Sequence, residues 1–175
     1  MPAANWGEQR LMTRLADYLD RINRYVGASV RWFALIMVLI QFAIVLLRYV
    51  FGVSFVWLNE SVLYFHSGLF MLAAGYTLLV DGHVRVDIFF AKSSERTQSL
   101  INVVGHLFLL APAMIVLLIY SWPSVSSSWA ILEGPISVGG IPASFLLKSL
   151  IPAFCILLLI QGLACLLRDV TTLNE

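Results

Sequence analysis

Charge is scarce in this chain. Asp, Glu, Lys and Arg make up 12% of its 175 residues, about half the ~25% usual in soluble domains. Mean hydropathy is +0.88 and 60% of residues are hydrophobic. That composition excludes a soluble globular protein and a disordered one. Cysteine is nearly absent. Cys155 and Cys165 stand ten residues apart in one apolar run, roughly 15 Å along a helix, beyond disulfide reach. With no CxxC pair and no zinc-ligand spacing, both read as small packing residues. No basic cluster with interleaved aromatics points to nucleic acid. No nucleophile–base pattern and no glycine-rich phosphate loop points to an enzyme. The net charge of +1 says nothing about partners.

What the chain has is four long apolar runs. The spacing predicts membrane-spanning helices over about 28–50, 56–80, 99–122 and 145–167, each near the ~20 residues a bilayer requires. Such runs are too long and too uniform for strands of a membrane barrel. The chain therefore reads as one all-α integral membrane domain over residues 1–175. Charges serve as depth markers. Glu60 and Asp81 are 21 residues apart, Lys148 and Arg168 20, Arg31 and Arg48 17. Each pair brackets a hydrocarbon core of about 30 Å, with Arg31 snorkelling to the surface. Nine Lys and Arg fall on the side of the termini and the 81–96 loop, against Arg48 and Lys148 on the other. The positive-inside rule then puts both termini in the cytoplasm.

Residues 8–26, "EQRLMTRLADYLDRINRYV", place Leu11, Leu15, Leu19, Ile22 and Val26 on a helical stripe with arginines opposite. The pattern predicts an amphipathic helix lying on the cytoplasmic membrane surface. Docking on a partner's cytoplasmic face is the rival reading. The stretch before the first span is too long and polar for the n-region of a cleaved signal peptide. In the third run no charge occurs between Arg96 and Glu133. One helix of that length would be about 54 Å, so Pro112 is expected to kink it and Pro123 to end or redirect it. Trp122 and Trp129 suit the outer interface belt, and the turn-rich "GPISVGGIPAS" suits an outer loop.

"DGHVRVD", 81–87, falls where the second span ends. Gly82 suits the helix C-terminus through its tolerance of positive φ. Asp81, His83, Arg85 and Asp87 read as a boundary loop held by ion pairs. A metal site on Asp81, His83 and Asp87 is the weaker alternative. Within the spans the polar residues are Gln41, His66, His106 and Gln161, with no carboxylate at the centre. An ion path usually leaves one there. His66 is expected to hydrogen-bond between helices, within the chain or to a partner. A haem shared by His66 and His106 would need equal depth, and by residue count they differ. Arg48 and Glu60, at the outer edge of the first hairpin, are expected to pair or to stand apart in water. Ser61, Gly68 and Gly75 recur every seven residues. Either this small face of the second span or the bulky face opposite is expected to meet a partner.

"RYVFGVSFVWLNESVLYF" followed by "GHVRVDIFF" resembles the small membrane subunit of tripartite ATP-independent periplasmic (TRAP) transporters, the DctQ type. That family's Arg-Tyr, Trp-before-Glu and His-x-x-x-Asp motifs fall on Arg48, Tyr49, Trp57, Glu60, His83 and Asp87. Where many members carry a second acidic residue, this chain has Asn59. The resemblance covers nearly the whole chain. It implies a small accessory subunit of a sodium-coupled secondary transporter for organic acids, bracing a large multi-span transport subunit in the bacterial cytoplasmic (inner) membrane. It also implies an extracytoplasmic substrate-binding protein. No cofactor is expected, and the free termini suggest that the large subunit is a separate chain. A self-sufficient small oligomeric channel or a haem-binding redox subunit is the alternative.

Overall fold

The structure, a computed structural model, describes residues 5–83, 90 and 93–173, and among these there is no strand. Among the described residues lie four long helices: α1 Asn5–Val50, α2 Val56–Leu79, α3 Glu95–Ala130 and α4 Ser144–Leu173. All four are long and apolar enough to cross a membrane. They do not form a square bundle. α4 is central and packs against the other three, α1 packs on α2, and α3 leans on α4. Arg168 in the last turns of α4 reaches Asp17 on α1, so the N-terminal part of α1 and the C-terminal part of α4 lie at the same end of the bundle.

α1 corrects one expectation. It has 46 residues, about 69 Å at 1.5 Å per residue, and the stretch 8–26 runs into the first span without a break. No proline lies between Pro2 and Pro112, so nothing in the sequence stops the helix. The packed face also differs from the leucine stripe. Ala16, Asp20, Asn23, Gly27 and Val30 are buried, at spacings of four, three, four and three, while Leu11 and Leu15 are exposed. The inward stripe is built from small and polar residues because the neighbouring helices come too close for leucine. At Gly27, an added Cβ would lie 2.5 Å from the Tyr76 ring.

α2 ends in a six-to-one turn: Gly82 N–H donates to Thr77 O at 2.8 Å, and Asp81 N–H to Leu78 O at 3.2 Å. This is the Schellman arrangement. The residue in the left-handed region is Asp81, at φ 54°, and Gly82 is not. Gly82 is needed one step later, where a Cβ would meet the Thr77 methyl at 3.1 Å. α3 closes the same way. Glu133 N–H donates to Ser128 O and Leu132 N–H to Trp129 O, with Leu132 at φ 44°.

α3 starts on Ser94, whose hydroxyl accepts from Thr97 N–H, with Glu95 in the positive first turn. At His106–Leu110 it widens into one π turn, in which Ala111 N–H donates back to His106 O. Pro112 follows and has no N–H to continue the ladder, so the expected irregularity takes the form of a π turn. Pro123 does not end the helix. It lies inside the helix, which continues past Trp122 to Ala130.

Candidate functional site

The spans are sewn together at their two ends by polar side chains. At the end shared by the termini, Asp20, Asn23 and Gln161 are buried at 5%, 0% and 0% exposure. Gln161 Nε2 donates to Asp20 Oδ1 at 2.9 Å, and Asn23 Nδ2 donates to Gln161 Oε1 at 3.1 Å and to Leu157 O at 3.2 Å. Arg168 adds hydrogen-bonded ion pairs to Asp17 at 3.1 Å and to Asp20. In an apolar medium such groups are costly unless paired, so the network fixes one register of α1 on α4. Asn23 Oδ1 points at Gly75 on α2, where a Cβ would lie only 2.1 Å away. Gly75 is thus what lets α2 close over the network, against an Asn23 Oδ1 that accepts no hydrogen bond among the described residues.

At the opposite end, Glu60 is 7% exposed. Its two carboxylate oxygens accept from Ser137 N–H at 3.0 Å and from Ile141 N–H at 2.7 Å. Gly140 lies against it, with room for no Cβ. Glu60 therefore pins the 131–143 loop to the start of α2. Beside it Lys148 pairs with Glu133 at 2.5 Å, Ser128 donates to the same carboxylate, and Trp129 Nε1 donates to Ser149 Oγ at 2.8 Å. The Lys148 ammonium, then the Ser128 hydroxyl, hold the Glu133 carboxyl below its usual range.

The residues expected to matter fall into three groups. Glu60 and Gly75 belong to the two clamps. Gly68 packs against the Phe33 ring, so it too is used within the chain. Arg48, Trp57, His66, Asp81 and His83 are exposed, and Arg85 and Asp87 lie outside the described residues. The expected Arg48–Glu60 pair does not form among the described residues. The Glu60 carboxylate turns inward to two backbone N–H groups instead. Of the two faces of α2, the small one is consumed by α1 and α4. Asn59, Leu63, His66 and Phe70, at spacings of four, three and four, are the exposed stripe.

Asp17, Asp20, Asn23 and Arg168 were not singled out from the sequence as site residues. A signal was present: Ala16, Asn23 and Val30, with Asp20 and Gly27, follow a seven-residue repeat of small and polar residues, the pattern of a close helix seam. The loop contacts of Glu60 are to backbone and left no trace in side-chain identity.

Four apolar spans of this order, with polar contacts at their ends, find a counterpart among known proteins. Residues 37–172 match the family described as tripartite ATP-independent periplasmic transporters, DctQ component. The chain belongs to the DctQ family. A curated relative is 28% identical over 115 residues, covering 66% of this chain and 48% of that one. It is the C4-dicarboxylate TRAP transporter small permease protein DctQ of Vibrio cholerae serotype O1 (strain ATCC 39315 / El Tor Inaba N16961). The chain thus spans about half the length of that relative. No solved structure matches it. A DctQ chain is a small permease component of a TRAP transporter, an integral membrane protein that takes part in transport and is not an enzyme.

Proposed function

We propose that this DctQ chain is the static accessory subunit of a sodium-coupled TRAP transporter in a bacterial cytoplasmic membrane, with both termini in the cytoplasm. Its partners are a large multi-span transport subunit and an extracytoplasmic binding protein. The large subunit carries substrate and sodium, and this chain braces it. One observation carries the reading: the buried polar side chains are tied to one another at the two ends of the helices. Asp20, Asn23, Gln161 and Arg168 close one end, and Glu60 closes the other onto backbone N–H groups. Groups so engaged stiffen a frame; a conducting path needs donors and acceptors free to exchange with a moving ion. The exposed stripe of α2 with Leu63, His66 and Phe70 is the face left for the large subunit, since the glycine face is occupied from within.

The test is uptake into proteoliposomes under an inward sodium gradient, with the cognate binding protein and an organic acid. A C4-dicarboxylate, named for the Vibrio relative, is the first substrate to try. This chain alone should carry nothing, and it should restore uptake when added to the large subunit. Sodium-independent flux through this chain alone would sink the reading in favour of a small channel. A visible-absorbing cofactor in the purified chain would favour a redox subunit.

A further inference from the structure

Arg31 stands at a depth where a membrane span has least use for a charge. Along α1, Gly27 lies against Tyr76, and Phe33 lies against Phe65 and Gly68. Tyr76 is five residues from Asp81, and Arg31 is four residues beyond Gly27. At 1.5 Å per residue Arg31 is about 14 Å inside the level of Asp81. From the other end, Gly68 is eight residues from Glu60 and Arg31 two from Phe33, which gives about 15 Å below Glu60. Both paths place Arg31 inside the stretch that Glu60 and Asp81 bracket, about 14 to 15 Å from either. On this placement the inner boundary falls near Asp20, eleven residues down α1, where Arg168 of α4 pairs with it, and not at Arg31 as the sequence suggested. An arginine side chain is shorter than either distance, so snorkelling cannot bring its charge to water.

This chain has nothing to offer it. Arg31 is exposed, and among the described residues no carboxylate pairs with it. None could at that depth, because the sequence has no Asp or Glu between Asp20 and Glu60, between Glu60 and Asp81, between Glu95 and Glu133, or between Glu133 and Asp169. The neighbouring Trp32 ring sits 5.7 Å from the guanidinium carbon. That contact uses a π face and leaves the planar fork of N–H donors open. An unpaired charge at mid-membrane is costly and faces protein or water in most membrane proteins.

We propose that Arg31 on α1 joins the exposed stripe of α2 in meeting the large transport subunit, and that its occupant is an Asp or Glu on a membrane-embedded helix of that subunit. The proposal rests on the reading of this chain as an accessory subunit. A carboxylate matches the guanidinium fork with two parallel hydrogen bonds, and exclusion of water by the two helices strengthens them. Trp32 and Leu35 flank the charge as exposed apolar surface that the partner helix would cover. A lipid phosphate has the same charge, but it lies in the headgroup layer and would have to be drawn some 14 Å inward.

The experiment co-expresses the tagged chain with the large subunit, purifies in mild detergent and measures how much large subunit is retained. Arg31→Leu should lower retention tenfold or more. Arg31→Lys should fall in between, because it keeps the charge and loses the fork. Arg31→Glu should abolish retention, and one Asp→Arg or Glu→Arg change in the large subunit should restore it. The purified variants should unfold at the wild-type temperature, since Arg31 supports nothing within the chain. A photo-crosslinking residue at Leu35 gives an independent readout and should capture the large subunit. Normal retention by Arg31→Leu, with or without loss of bound anionic lipid, overturns the proposal. So does a Leu35 crosslink to lipid or to a second copy only. If the wild-type chain retains no large subunit, the accessory reading itself fails and takes Arg31 with it.

Discussion

α3 and α4 are nearly equally apolar, and each is long enough to cross a bilayer. Within the most apolar stretch of each, 39% of α4 is buried and none of α3 is. Lipid tails are as apolar as leucine, so hydropathy measures fitness for the membrane and not closeness to other helices. The difference lies in small and polar residues. α4 buries Pro152, Cys155, Gln161, Gly162 and Ala164, which let other backbones approach or give them hydrogen bonds. α3 presents Leu107, Phe108, Leu109, Ile115, Val116 and Tyr120 outward. α4 is the core of the frame and α3 is a wall leaning on it.

The sharpest way to make α4 resemble α3 is to push its neighbours away. Gly75→Leu would drive a side chain into Asn23 Oδ1, 2.1 Å from the new Cβ, and toward the Leu157 carbonyl at 3.1 Å. Overpacking costs about 1–3 kcal/mol, and here it also breaks the Asn23–Gln161 link, so the loss is expected at the upper end, about 3 kcal/mol. Thermal unfolding in detergent reads it directly. Unchanged stability would mean that α2 does not close over the network.

Arg168→Ala attacks the same seam by charge. It leaves the Asp20 carboxylate, 8% exposed, with one Gln161 donor in place of a salt bridge. Stripping one member of a buried pair costs about 3–5 kcal/mol. Arg168 is 41% exposed, so solvent screening reduces the expected loss to about 2 kcal/mol. Asp20→Asn in the Arg168→Ala background should recover part of it, because no unpaired charge then remains. Additive losses in the double variant would argue that the two residues do not form one unit.

A leucine truncation sets the two helices side by side. Leu158 on α4 is 6% exposed and Leu109 on α3 is 72% exposed. Leu158→Ala opens a cavity among packed helices, and with no transfer term into lipid the loss is dispersion contact, about 1–2 kcal/mol. Leu109→Ala should stay within about 0.5 kcal/mol. Equal effects would erase the distinction between core and wall.

Four apolar helices, the turn-rich loop before the last of them and membership of the family were legible in the sequence, because long apolar runs bounded by charges admit few other structures. Three things were not. The amphipathic stretch 8–26 was read by its leucines, but packing against α4 uses Ala16, Asp20 and Asn23. Leucine at the surface and leucine in lipid give the same pattern. Arg31 was taken as a boundary mark because boundaries are where arginines usually lie. Its level against α2 is set by Gly27 against Tyr76 and Phe33 against Gly68, contacts between helices that no single run reveals. Glu60 was matched to Arg48 because opposite charges at one membrane face invite pairing. Two backbone N–H groups from a loop some eighty residues away took the carboxylate, and backbone donors are invisible to residue identity.

The smallest expected effect lies where α3 and α4 are joined at the end away from the termini. Lys148 and Ser128 stabilise the ionised form of Glu133, so its carboxyl titrates below its ordinary 4.5. A group depressed in this way contributes fully above its unfolded value and loses that contribution as pH falls through the folded one. The α3–α4 bridge should therefore hold from neutral pH down to about 4.5 and loosen below it. Trp129, hydrogen-bonded to Ser149 and set edge-on to Phe145 at 4.7 Å, sits beside the bridge and reports on it by fluorescence. The signal should change in the wild type between about pH 4.5 and lower values, shrink at high salt because the pair is half-exposed, and be flat in Glu133→Gln. An identical acid transition in Glu133→Gln would assign it elsewhere, and the wall would then be held to the core without this bridge, by the Trp129–Ser149 and Asn102–Asp169 hydrogen bonds and by apolar contact such as Leu110 against Gly162.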